Sequence, residues 1–199
     1  MAIIDMPNVV PSKSAWNMQF ASKADFNPYS KVEQVWDEPG DKWIVKLSFK
    51  NLPHLQGREL RGALMALRGQ VNKLRVKDWA HGNVGSWSGV PKVKGAEQVG
   101  LILTIDGMTA NSTIGYVGDR FQLGTRVHEL TQDAQTNSLG AVTLKFVPEI
   151  INPPTDNEPL IMLEPSGLFI LKDSKQIPDF SKTVKVFPLI QFDLIEAIR

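Results

Sequence analysis

Three histidines, a scatter of carboxylates and five tryptophans are the side chains of this 199-residue sequence best suited to chemistry. Nucleophilic catalysis needs a serine, threonine or cysteine held beside a base, most often histidine. His54 stands at a predicted helix start, His81 in a glycine-rich stretch and His128 in an alternating strand. None lies in a recognisable catalytic motif, and each reads as a surface or capping residue. The sequence has no cysteine, which removes disulfides, thiolate metal sites and cysteine nucleophiles and suits synthesis in a reducing cytoplasm. No HExxH, His/Cys cluster or EF-hand spacing is present, so neither a metal nor a cofactor is expected. Glu97, Asp106 and Asp119 are the carboxylates available for glycoside hydrolysis, which needs a pair flanking the scissile bond, but their spacing gives no reason to pair them. Asp133 and Asp156 sit in turns, where local hydrogen bonding accounts for aspartate. Gly82-Asn83-Val84-Gly85 lacks the lysine and the strand-to-helix setting of a phosphate loop. No residue is assigned a catalytic role, and the expectation is a protein that is not an enzyme.

The tryptophans invite a different use. Trp36 and Trp43 flank one turn and are expected to pair across a hairpin and fill core. Trp79 and Trp87 lie beside and within a Gly- and Ser-rich stretch, and as large aromatics they are the better candidates for an interface. The charge is uneven as well. Between Asn51 and Lys94 eight basic residues face Glu59 and Asp78, a local net of +6, while the rest of the chain carries −5. Complementary faces of this kind can fix register between copies of one molecule. Arg58, Arg61, Arg68, Trp79 and Trp87 are therefore the candidate inter-subunit contacts.

These side chains have to be positioned by something, and the pattern is mostly β. Residues 1–30 hold Pro7, Pro11 and Asn27-Pro28 and little periodicity, which reads as an N-terminal arm with one short strand around Ala15 to Ala21. Val32 to Trp36, the turn Asp37-Glu38-Pro39-Gly40-Asp41 and Lys42 to Phe49 read as strand, turn, strand. Leu60, Leu64, Leu67, Val71 and Leu74 recur at spacings of four and three and predict a helix over 55–69 with an apolar stripe, Gly69 closing it and Val71 and Leu74 falling in a following strand. Residues 80–96 read as a connection into a second, all-β unit. Its expected strands are Val99–Ile105, Arg120–Leu123, Arg126–Leu130, Ala141–Val147 and Pro159–Leu163, separated by Gly, Asn and Pro turns. Leu168 to Leu171 and Val184 to Ile198 supply further strands. The first eleven residues lack a basic leader and a continuous apolar run, so no signal peptide is expected, and no stretch approaches the ~18 apolar residues of a membrane span.

Several stretches together carry a resemblance. They are Glu59-Leu60-Arg61-Gly62-Ala63-Leu64-Met65-Ala66-Leu67-Arg68-Gly69-Gln70 after the hairpin, Gly95 to Gly100, Asp106-Gly107, Gly118 to Gly124, Gly140 to Pro148, and the closing Phe192 to Ile198. Across roughly residues 30–199 the chain resembles the distal tail proteins of long-tailed bacteriophages. The resemblance implies a mainly β fold: an antiparallel β-sandwich with one flanking α-helix, tail-tube-like, and an inserted small β-barrel-like unit. The domains would be the arm (1–30), a split core (31–90 with 173–199) and the insert (91–172). It also implies a homo-oligomer, a hexameric ring that joins the tail-tube protein to the tail hub or other tail-tip proteins, with DNA passing through its channel. The protein would be made in the host bacterial cytoplasm and located at the virion tail tip. Many such proteins carry a large C-terminal carbohydrate-binding or arm-docking domain, and the sequence stopping at Arg199 puts direct receptor binding in doubt. The alternatives are another tail-completion or hub protein, or a carbohydrate-binding β-module with Trp79 and Trp87 as stacking platforms.

Overall fold

The structure, a computed structural model, describes residues 1–79, 81–173, 175 and 177–198; Ala80 of the expected connection and Ser174, Gln176 and Arg199 of the expected core segment lie outside the described residues. In chain order the strands are β1 (Ile3–Asp5), β2 (Lys13–Gln19), β3 (Lys23–Phe26), β4 (Glu33–Trp36) and β5 (Lys42–Pro53). Helix α1 (His54–Ala66) follows, then β6 (Lys73–Lys77), β7 (Gly89–Val93), β8 (Gly100–Met108), β9 (Thr113–Gly115) and β10 (Arg120–Leu123). The chain ends through β11 (Arg126–Leu130), β12 (Ala134–Gln135), β13 (Val142–Ile150), β14 (Ser166–Leu171) and β15 (Val186–Glu196). It is a mainly β protein, a β-sandwich with one helix.

Six strands form the larger sheet in the order β1-β6-β14-β15-β5-β2, drawing on both ends of the chain. Five strands from the middle form the second, β10-β11-β13-β8-β7, with β9 and β12 paired beside it. Each sheet has its own apolar core. In β5 the alternation of Trp43, Val45, Leu47 and Phe49 turns these side chains inward, and in β15 Ile190, Phe192 and Leu194 do the same. With Leu60 and Leu64 from the helix and Leu67 at its C-terminal cap they make the main core, while Phe121, Phe146, Leu103, Ile105 and Ile114 anchor the second.

The expected hairpin is corrected. β5 pairs with β15 on one side and β2 on the other, and β4 pairs with β3. The turn signal at 37–41 is real, but a turn fixes only a change of direction. β5 carries the most apolar inward row and takes the two long partners that extend its buried face, whereas β4 is exposed throughout. Trp43 therefore lies in the core, edge-on to Trp16 at 5.6 Å, and Trp36 stays 46% exposed.

Residues 1–19 hold the expected short strand as β2 but are not an arm: β1 runs parallel to β6, β2 lines β5, and Val9 is buried in the main core. The register of β2 on β5 puts Gln19 opposite Lys42. The chain thus leaves the sheet at Gln19 and returns opposite it at Lys42, with the β3–β4 hairpin carried on the connection.

The helix ends at Ala66, three residues before the expected 69. Arg68 and Gly69 both take left-handed backbone (φ 49° and 74°), and Asn72 donates its side-chain amide to the Ala66 carbonyl at 2.9 Å. Leu74 is buried in β6, but Val71 is 52% exposed in the turn. β14, expected in the second unit, joins the main sheet between β6 and β15. Residues 159–163 make only isolated bridges, Lys92 to Pro159 and Gln122 to Ile161. β7, read as part of a connection, is an edge strand of the second sheet.

Candidate assembly site

The side chains that hold the two sheets together determine what is left over for a partner. Period-two alternation in β15 brings Glu196 inward after Ile190, Phe192 and Leu194, so a carboxylate occupies a core position. Arg126 of β11 reaches it: Nε donates to Glu196 Oε1 at 2.8 Å and Nη2 to Oε2 at 3.2 Å. The same guanidinium donates to the Glu149 carbonyl at 2.6 Å and to the Asp41 carbonyl. Trp43 N–H donates to Glu196 Oε2 at 3.0 Å. Burial pushes the Glu196 carboxyl up from its ordinary value, and Arg126 and the Trp43 N–H pull it back.

A second arginine repeats the arrangement. Arg120 of β10 bonds Asp78 at 2.5 Å and Glu129 at 2.7 Å, with its guanidinium 4.8 Å from the Trp43 ring centre and 5.6 Å from that of Trp16. The Trp43 indole N–H closes the junction on the Val127 carbonyl at 2.8 Å. These charges are paired within the chain and, apart from the half-exposed Glu129, enclosed, and they act as a clasp between the sheets.

The histidines and aspartates sort the same way. His128 is buried between Phe121 and Phe146, with Nδ1 2.8 Å from the Pro148 carbonyl. Desolvation lowers its pKa to about 3, so it is a neutral core residue and not the surface residue expected from alternation. His54 is half-buried against Phe187, its Nε2 3.1 Å from the Thr183 carbonyl. Asp119, one of the three carboxylates considered for hydrolysis, accepts from the Val84, Gly85 and Tyr116 N–H groups and from the Trp87 indole at 2.7–3.1 Å. Its oxygens are spent on shaping the loop. Among the described residues there is no group of three or more His, Asp or Glu that could hold a metal.

Of the five candidate contacts, the three arginines and the two tryptophans part company. Arg58, Arg61 and Arg68 are exposed, Arg61 with its guanidinium 5.9 Å from the Phe180 ring centre. Trp79 is half-buried against the main core. Trp87 is corrected: it is only 7% exposed, tied to Asp119 and tilted against Phe121. The glycines that made its surroundings look like an open loop instead let the chain fold tightly over it. Both tryptophans line a cavity of about 530 Å³ with Asp78, His81, Asn83 and Met162. There Asp78 Oδ1 and His81 Nε2 are enclosed and find no partner among the described residues. A stacking platform built on Trp87 has no free ring face.

The surface that is left unpartnered is the one the sequence reading passed over. All eight residues of β3 and β4 are exposed. On and around them Phe26 is 59%, Tyr29 96%, Val35 66% and Trp36 46% exposed, and Phe20 before them 61%. Asn27 accepts the Tyr29 and Ser30 N–H groups at 2.9 and 3.3 Å and sets the turn. Asn27-Pro28 is a readable turn signal, and it stands between Phe26 and Val32 at the tip of this hairpin. Among the described residues no helix is long and apolar enough to cross a membrane.

No family model matches the chain, and no curated protein matches its sequence.

Proposed function

We propose that this chain is a structural subunit of a bacteriophage tail tip, a ring-forming distal tail protein that joins the tail tube to the hub and receptor-binding apparatus. The observation that carries the reading is the β3–β4 hairpin, which stands clear of the sheet with its apolar residues in solvent. A two-stranded hairpin alone is marginal in water, and clustered exposed apolar side chains mark interaction sites. Such a hairpin is stable in service when another chain covers it. Ring closure through heterologous contacts needs two different complementary faces on each copy, and the basic segment around α1 offers the second. The open edges β1 and β2 of the larger sheet are covered or paired at little cost in a closed ring.

In this role the partners are further copies of the chain, a tail-tube protein and a hub, with DNA only in transit, and the place of work is the virion. A carbohydrate-binding module is less well supported, because Trp87 has no face to offer. Negative-stain electron microscopy of the purified protein tests the proposal. A six-fold ring with a central opening is expected; particles of another symmetry would favour a different tail-completion or hub protein, and a persistent monomer would count against assembly altogether.

A further inference from the structure

Resting on the ring-subunit reading, we infer that the outer ridge of α1 is the seat for the β3–β4 hairpin of a neighbouring copy, and that Gly62 marks where the neighbour comes closest. Leu55, Arg58, Gly62 and Met65 follow one another at spacings of three, four and three, which places them on one ridge of the helix. That ridge faces away from buried Leu60 and Leu64. Leu55 is 69% and Met65 55% exposed, with Arg58 and Arg61 exposed beside them. It is a mixed ridge, apolar at Leu55 and Met65, with Arg58 between them and Arg61 alongside.

The two glycines of the helix separate the internal from the external requirement. A Cβ on Gly57 would lie 2.2 Å from the Phe187 ring, so packing within the chain excludes a side chain there. A Cβ on Gly62 would meet nothing within 4 Å, and the backbone there is ordinary helix. Glycine in a helix interior weakens the helix, and among the described residues no packing accounts for Gly62. Close approach of another backbone is what a missing Cβ allows.

The occupant follows from charge and shape. Residues 23–38 carry Asp25, Glu33, Asp37 and Glu38 against Lys23 and Lys31, a net of −2, while residues 54–68 carry Arg58, Arg61 and Arg68 against Glu59, a net of +2. The hairpin brings Phe26, Val35 and Trp36 to meet Leu55 and Met65. Both surfaces are exposed in the single chain, so the hairpin does not cover its own helix. Acidic-apolar on one side and basic-apolar on the other make a head-to-tail contact, the kind that closes rings.

Sedimentation velocity and native mass spectrometry of the full chain test this. Gly62→Trp is expected to shift assembly at least tenfold toward monomer at a concentration where the unaltered protein is assembled, with its circular dichroism spectrum unchanged because the site is open within the chain. Arg58→Glu with Arg61→Glu should dissociate the assembly, as should Glu33→Lys with Asp37→Lys. Mixing these two charge-reversed proteins should restore it. If the unaltered protein assembles and Gly62→Trp assembles equally well, the seat lies elsewhere and only this inference fails. Failure of the mixed pair to reassemble would overturn the pairing of hairpin with helix, and an unaltered protein that stays monomeric would overturn both this contact and the ring reading.

Discussion

Arg126 sits on a strand facing a second sheet, where an apolar side chain would be the simplest filler. Its guanidinium is matched by Glu196 and two carbonyls, and Glu196 in turn accepts the Trp43 N–H. Removing one partner of a buried pair leaves the other charge enclosed and unmatched, at a cost of about 3–5 kcal/mol. Arg126→Met is expected to lower the unfolding free energy by about that much in urea titration, and Arg126→Met with Glu196→Met to recover part of it, since an apolar pair avoids both charge-desolvation costs but leaves the Trp43 N–H and the Asp41 and Glu149 carbonyls unmatched. His128 gives the pH dependence. Its folded pKa of about 3 lies below the unfolded 6.5, so between those values the unfolded chain binds the extra proton. The stabilisation is complete above pH 6.5 and drains away as pH falls toward 3. In thermal melts His128→Phe should start lower at pH 7.5, because the Pro148 carbonyl loses its donor, but decline less between pH 7 and 5; an equal decline would show that other groups set the slope. Neither residue's role was legible from alternation. Val127 packs into the main core and His128 against Phe121 and Phe146 of the second, so β11 is buried on both faces. A one-sided strand pattern has no means of announcing that.

At the scale of elements, the helix makes two opposite predictions at glycines five residues apart. Gly57→Ala drives a methyl into the Phe187 ring and is expected to cost about 1–3 kcal/mol through overpacking. Gly62→Ala meets open space and should stabilise the isolated chain by about 0.5–1 kcal/mol through helix propensity. Melting curves of the two variants should move in opposite directions, and a shared sign would mean that the helix packs differently. The helix itself was readable because Leu60, Leu64 and Leu67 obey a local period that survives folding. The strands β10 and β11 were readable to the residue for the same reason. Pairing was not: Asp37 to Asp41 signals a reversal, yet β5 finds its partners in Lys13–Gln19 and Val186–Glu196. Local chemistry sets where a chain turns, and buried apolar area over the whole sheet sets which strands meet. The exposed hairpin was missed for a related reason: Trp36 was credited to a core that it never enters, and Phe26 and Tyr29 fell in the stretch read as an arm.

Over the whole molecule, two cores are joined by a charged clasp and one excursion stands outside both. Because Ala21 and Gly40 face each other closely, their Cβ positions 3.7 Å apart, residues 22–39 can be replaced by a two-residue Gly-Asn turn without stretching β2 or β5. That variant is expected to keep its circular dichroism spectrum and a melting temperature within a few degrees of the unaltered protein, while losing assembly in sedimentation. A collapse of the fold would show that the hairpin supports the sheet, against its exposure. The mainly β character and the one helix were visible in the sequence as strand periods and a single helical stripe, while the sandwich was what the resemblance implied. The positions of the first nineteen residues and of β14 were not, because edge and central places in a sheet are decided by distant strands.

The pairing of β5 with β15 has a consequence for synthesis. Phe49 and Ile190 are register partners, so the middle of the larger sheet stays unfinished until Val186–Glu196 has been made. Until then the nascent chain shows a long apolar strand edge, a hazard for misassociation. A product interrupted before Val186 lacks the strand that shields Phe49 and Leu47, and it also leaves Arg126 without Glu196. Products that stop short of β15 are thereby handicapped twice, by an open apolar strand edge and by an unmatched buried charge.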